Sequence, residues 1–433
     1  MNRNSAPDRR RILAAAAGWG AAAALPAHAW PWPRGDAPKH PQLIVAVFPL
    51  LDQIIKAALP GWQRRHPGVD VQIITRQYGD HHTAMTTALS TAVRLPDVMA
   101  LESSFLGRFA PGRGLDDLAQ SPYDIGRFRS RFVPFAYDQA INSRGQMVAA
   151  PTDIGPGTLL YRADLLAKAG LSADDLTPSW DAYIDAGIRL KATTGAYLIS
   201  NAVLVKDIAQ RSGMQPGEGV YFDKDSRVLV NSPRFVRAFE LARRVRQLKL
   251  DARIRTWSNE WAEGFRRGTL ATELGGAWMV GQMADHVAPA TKGLWRAAQL
   301  PGQTFVSYGG TYYAIPRQSA SANKALAWDL IQWLTLQREQ QFSAFKLQDA
   351  FPALLDTLDD PFFEQPLPFL GGQPGRLLWR DAARQIMATP PHKQNNFADE
   401  VMNAELGNVL DHGKNIQQAL ADAERLLVRR ATR

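Results

Sequence analysis

His81 and His82 are the only adjacent imidazole pair in the chain, and two histidines in tandem could open a metal site. Neighbouring residues of a helix point apart, however, so the expectation is a surface position in a helix's first turn. The chain has 41 Asp and Glu residues, but their spacing does not say whether any two face each other as an acid–base pair. No Gly-x-Ser-x-Gly elbow, His-Glu-x-x-His helix, phosphate-binding Walker loop or dinucleotide fingerprint occurs. Cysteine is absent, which removes disulfides, thiolate metal sites and thiol nucleophiles. No catalytic residue, metal ligand or cofactor is therefore assigned.

The elements that must position any site begin at Leu43–Phe48, a continuous apolar run of the kind buried in a parallel sheet. Leu51, Ile54, Ile55, Ala58, Leu59 and Trp62 follow on one helical face, and His66-Pro67-Gly68 stops that helix. Val69–Ile74 reads as a second strand, a helix is expected around Thr83–Val93, and Pro96-Asp97 leads into a third strand ending at Leu101. Such alternation predicts right-handed crossovers and an α/β doubly wound sheet. Met147–Gly157 passes through a strand into a Pro/Gly-rich stretch, either a surface loop or a crossing between domains. Thr158–Tyr161 is a short strand, Leu165 and Leu166 lie on a helix stopped at Gly170, and a second helix opens on Trp180 and Asp181. Trp257 and Trp261, four apart, are expected on one helical face. The basic residues from Arg234 to Lys249 alternate with apolar ones at helical spacing, and Ala419–Leu427 reads as a terminal helix. About 400 residues beyond the leader exceed what one hydrophobic core serves, so two domains are expected.

Three passages carry a resemblance. The first is Tyr161, then Asp164-Leu165-Leu166, Ala169-Gly170-Leu171 and Trp180-Asp181. The second is Phe265-x-x-Gly268, a strand, and Gly276-x-Trp278; the third is Gly309-Gly310, a strand, and Asn323-Lys324-x-x-Ala327-Trp328. In this order they resemble the extracellular solute-binding proteins of ABC sugar importers (family 1, maltose-binding-protein-like). Arg162 stands where that family usually has Asn, and Asp181-Ala182-Tyr183 replaces its acidic-leucine ending. The resemblance implies a two-lobed periplasmic binding protein fold, each lobe a doubly wound sheet flanked by helices, with the ligand cleft at the hinge. Residues 41–150 with 306–358 would form the N-terminal lobe, and 151–305 with 359–433 the C-terminal lobe. It further implies a monomer that captures a mono- or oligosaccharide or polyol and delivers it to the permease subunits of an ABC importer, with no chemical step. Two alternatives stay open: a binder of a phosphorylated polyol such as glycerol-3-phosphate, using Arg113, Arg376 or Arg380, and a periplasmic carbohydrate-active enzyme using a carboxylate pair.

A carbohydrate binder needs aromatic faces for the apolar side of a sugar ring and planar polar groups for its hydroxyls. Strand ends and lobe crossings are where open α/β sheets hold ligands. Phe48 and Asp52 follow the first strand, Tyr78 and Asp80 the second, and Glu102, Ser103 and Ser104 the third. Thr152 and Asp153 lie at the crossing, Gly276 and Trp278 come from the second lobe, and Gly309 and Gly310 return to the first. Trp261 could wall the cleft or anchor its helix. Asp52 and Asp80 could equally be helix caps, and Phe48 the last core residue of its strand, whereas Glu102 and Asp153 have no obvious capping duty.

Asp8-Arg9-Arg10-Arg11, the apolar run to Leu25 and Ala27-His28-Ala29 have the three parts of a cleaved export signal over residues 1–29, followed by a leader over 30–40. The paired arginines suit a twin-arginine address or an ordinary secretory signal with an extra arginine. No Cys follows the cleavage site, so a lipid anchor is not expected, nor is membrane insertion of the mature chain, and the periplasm is the expected compartment. Without residues 1–29, which hold four arginines and one aspartate, the net charge falls from +9 to +6. Nothing in this balance calls for nucleic acid.

Overall fold

The computed structural model describes residues 41–110 and 112–431; the export signal over 1–29 and the leader over 30–40 lie outside the described residues. Strands β1 (Gln42–Val47), β2 (Asp70–Thr75) and β3 (Val98–Glu102) pair in parallel, with β1 in the middle. Helix α1 (Leu51–Gln63) buries Leu51, Ile54, Ile55, Ala58, Leu59 and Trp62 against them, the face expected from the spacing. The Trp62 indole N–H, fully enclosed, donates to Asp329 at 2.8 Å. Asp97 ties the entry of β3 to β1: its carboxylate accepts the Ile44 N–H at 2.8 Å and the Asn323 amide at 3.1 Å. That amide also reaches the Gln42 carbonyl, so the helix Lys324–Leu336 is fixed behind the same strands.

Helix α2 (Tyr78–Thr91) starts five residues before the expected Thr83. No side chain caps it. Its first turn is held by tertiary contacts instead, because the Tyr78 hydroxyl donates to Glu102 and His82 Nε2 accepts the Glu102 N–H.

The Pro/Gly-rich stretch expected as a loop or crossing is strand throughout. β4 (Ala150–Arg162) runs for 13 residues and absorbs the separate Thr158–Tyr161 strand. Prolines lack the N–H that a regular ladder uses, and the pairing of β4 with β7 (Ser307–Ala314) slips between Pro151 and Asp153 and again between Ile154 and Pro156. Beyond the slips β4 pairs antiparallel with β5 (Thr272–Gly276) and β6 (Trp295–Ala298), and near its start with the two-residue β8 (Phe351–Pro352). Among the described residues the sheet order is β2-β1-β3-β7-β4-β5, with β6 and β8 also on β4.

Three apolar cores lie along this sheet. The first gathers Val45, Trp62, Val98, Tyr313 and Ile331 around β1, β3 and β7. A second packs Tyr183, Ile184, Phe235, Phe239 and Leu420 between the helices Trp180–Thr194, Pro233–Gln247 and Ile416–Ala431. The third draws residues from both sides of β4, with Phe135 and Phe351 beside Trp261, Phe265 and Trp295. Trp257 does not share a helix with Trp261. The helix runs Asn259–Arg266 with Ser258 as its cap, and Trp257 lies before it with φ +67°. No helix among the described residues is long and apolar enough to cross a membrane.

Candidate functional site

The C-terminal ends of β1, β2 and β3 bring Phe48, Tyr78 and Glu102 together, as an open parallel sheet does at its carboxyl edge. Glu102 on β3 is opposite Thr311 on β7, and Thr311 is opposite Asp153 on β4. Cross-strand partners share a face, so the register makes a carboxylate–hydroxyl–carboxylate row across three strands. Burial pushes the Asp153 carboxyl up to about 7; the Thr311 hydroxyl and N–H hold it down, and the charge of Glu102 raises it further.

Glu102 has the capping duty that its place in the sequence did not suggest. Its carboxylate accepts the Ser104 N–H at 2.9 Å at the head of the one-turn helix Ser103–Phe105. It also accepts the Tyr78 hydroxyl at 2.8 Å, the Ser103 hydroxyl at 2.6 Å and the Ser104 hydroxyl. The turn follows directly from the strand end, so the residue that terminates β3 also has to hold what comes next.

Aromatic rings surround this acid. Phe48 meets Tyr78 edge-on at 5.5 Å, and Phe105 stacks on His82 at 3.8 Å. His81 and His82 are fully buried, not on the surface, because α2 begins early and lays its first turn against β3. His81 Nε2 donates to the Ala100 carbonyl. His82 Nδ1 donates to the Tyr78 carbonyl, which leaves its Nε2 to accept the Glu102 N–H at 3.2 Å. Burial pulls both imidazoles down to about 4, so they are neutral. The pair braces Tyr78 and Glu102. Tyr78 stays 43% exposed, and burial, together with the adjacent Glu102 charge, raises its phenol well above the ordinary value.

A second aromatic wall comes from the segment after β5. The Trp278 indole N–H donates to the Tyr308 carbonyl at 2.8 Å. A Cβ at 276 would overlap that indole and lie 2.6 Å from the Tyr308 oxygen, so only glycine lets the ring reach the backbone. Gly309, at φ +97°, stands against the same indole. Trp257 lies nearly parallel to Trp278, with centroids 6.0 Å apart and planes at 12°. Trp261 is 1% exposed, packs edge-on to Phe265 at 4.9 Å, and points its N–H at Glu273.

Other candidates are engaged elsewhere. Asp52 is in the first turn of α1 and pairs with Lys56 at 2.8 Å; Asp80 is exposed in the first turn of α2, where a carboxylate suits the helix dipole. Neither is a cap: Leu50 and Gln77 hold those positions. Thr152 is buried beside Gln341, at the slip in the pairing of β4 with β7. Gly310 gives close approach to the Asp153 backbone. Arg376 lies over Phe362 at 4.1 Å, Arg380 pairs with Asp381 at 3.0 Å, and Arg113 is exposed. Residue types and spacing alone do not single out Thr311, Tyr308, Phe105 or Trp257 as ligand contacts. Thr311 has one usable signal, its place directly after the paired glycines that begin the returning strand. Two surface hollows, of about 630 Å³ beside Phe397 and Leu426 and about 460 Å³ beside Phe342, border none of these residues.

Residues 62–367 match the model of a family described as bacterial extracellular solute-binding protein. The chain is 24% identical over 375 residues to a lactose-binding protein of Rhizobium radiobacter, covering 82% of this chain and 84% of that one. It is 25% identical over 282 residues to an arabinooligosaccharide-binding protein of Bacillus subtilis (strain 168), covering 62% and 64%. A crystal structure of an extracellular solute-binding protein family 1 superposes with TM-score 0.80 and 25% identity, covering 90% of this chain and all of the other. The sugar-binding protein MalE of Xanthomonas citri does so with TM-score 0.74 and 21% identity, covering 90% and 98%.

Proposed function

Because the chain belongs to the bacterial extracellular solute-binding proteins, we propose that it captures a carbohydrate and delivers it to the permease subunits of an ABC importer. The observation that carries this reading is the Glu102–Thr311–Asp153 row, with Phe48 and Tyr78 at its β1–β2 end. Carboxylates and a hydroxyl fixed on neighbouring strands can accept and return the hydrogen bonds of a polyhydroxylated ring, while aromatic faces cover its C–H side. The lactose- and arabinooligosaccharide-binding relatives support a sugar as the ligand. Family members are binding proteins, and in this reading the chain performs no chemical step: Glu102, held by Tyr78, Ser103 and Ser104, is a fixed acceptor.

Capture works by hinge closure. Two lobes, divided near residues 150, 305 and 358, move about β4 and β7, and a ligand touching both shifts the population toward the closed form that the importer recognises. The protein acts as an exported monomer in the periplasm. Thermal shift against a panel of neutral sugars, polyols and polyol phosphates tests the reading, because a ligand that binds only the folded state raises the melting temperature with its concentration. A rise with a neutral sugar is expected. Stabilisation by phosphorylated polyols alone, or by nothing in the panel, overturns it.

A further inference from the structure

Trp257 is held in a conformation that a bulky side chain rarely adopts. Its φ of +67° lies in the left-handed region, and such strain persists where the surrounding structure imposes it and clusters at ligand contacts. The ring is 56% exposed, although a tryptophan ordinarily buries its apolar surface. It is nonetheless fixed: Trp261, itself locked in the third core, lies 4.9 Å away, and Trp278 lies nearly parallel at 6.0 Å. Near-parallel rings in contact lie about 3.5–4 Å apart face to face, so a 6.0 Å centroid separation means that the two are slipped sideways. Together they form an apolar terrace longer than one ring. The indole N–H groups of Trp261 and Trp278 are taken by Glu273 and Tyr308. Among the described residues no hydrogen bond engages that of Trp257, which leaves a donor at the exposed end of the terrace.

We infer that Trp257 and Trp278 each carry one sugar unit, Trp257 being the contact for the second, so that the substrate class is an oligosaccharide of two or more rings. This rests on the carbohydrate-binding reading. A single ring would leave the strained, outward-facing Trp257 with no contact to make, whereas a longer chain uses both its face and its N–H.

The test is calorimetric titration of the wild-type chain, Trp257→Ala and Trp257→Phe with two size pairs: arabinose against arabinotriose, and galactose against lactose. The expected result is that the wild type binds the longer member of at least one pair about tenfold more tightly than the shorter, a gain in the range of one aromatic contact. W257A should lose that gain while keeping its affinity for the single ring, and W257F should retain most of it. A wild type that binds sugars with no preference for the longer member overturns the inference. So does a W257A variant whose affinities are unchanged, or lowered alike for short and long ligands. Either result leaves the carbohydrate reading standing. No binding of any of the four sugars by the wild type would remove both.

Discussion

Asp153 and Glu102 share one face of the sheet with Thr311 between them, and their charges oppose each other across it. Burial, more than Glu102, pushes the Asp153 carboxyl up to about 7, close to working pH. A raised carboxyl contributes stability below the ordinary carboxylate range that is lost as pH rises through about 7. Ligand hydroxyls reverse that preference, because they donate to the ionised form. Sugar affinity is therefore expected to rise between pH 5.5 and 8.5, and Asp153→Asn should flatten the profile. Titration calorimetry across that range checks it; a D153N protein with the wild-type slope would remove Asp153 from the site.

Glu273 on β5 is a buried acid with only the Trp261 N–H at 3.4 Å to oppose its desolvation, which raises it to about 8. By the same sign its contribution is present below the ordinary glutamate range and lost as pH rises through about 8. Glu273→Gln keeps an acceptor for Trp261 and cannot ionise. The variant should melt near the wild type at pH 4 and several degrees above it at pH 9. Equal melting temperatures at pH 9 would show that Glu273 gains water or a partner when it ionises.

His82 makes the opposite prediction. Burial lowers it to about 4, so its contribution is present above the ordinary histidine range and is lost as pH falls through about 4. His82→Phe keeps the stack on Phe105 but leaves the Glu102 N–H without an acceptor. At pH 7 this should cost about 1–3 kcal/mol. Between pH 6.5 and 4, however, the variant's melting temperature should fall less steeply than the wild type's in differential scanning calorimetry. Parallel curves would mean that His82 is not the group titrating.

Elements with a single dominant period were legible from residue types. Leu43–Phe48 and the Leu51–Trp62 stripe fall on β1 and α1 within a residue of each end. What failed has tertiary causes. Pro151 and Pro156 signal a break in β4 locally, and only pairing with β7 shows that bulges absorb them. The early start of α2 has no local signal because its first turn is secured by Glu102, 24 residues away from Tyr78. At the site, strand ends point to Phe48, Tyr78 and Glu102, and the expected crossing to Asp153. The register that aligns Thr311 between the acids is set across sequence separations that no local pattern encodes.

Gly107 provides a test of the proposed closure. It lies among Leu106 and Phe109 of the first core, and a Cβ there would overlap the His392 carbonyl. His392 in turn stacks on Phe222 of the second core at 3.8 Å, and the Pro390 carbonyl rests against Gly219. Residues 390–392 thus form a strap whose two sides touch different cores, and its fit on the first depends on a residue without a side chain. Gly107→Val should hold the two apart. Small-angle scattering is expected to give a larger radius of gyration than the wild type and no compaction on adding a saturating sugar, with affinity reduced about tenfold as the closed population falls. Gly107→Ala should lie between. A valine variant that compacts like the wild type would show that the strap follows closure and does not limit it.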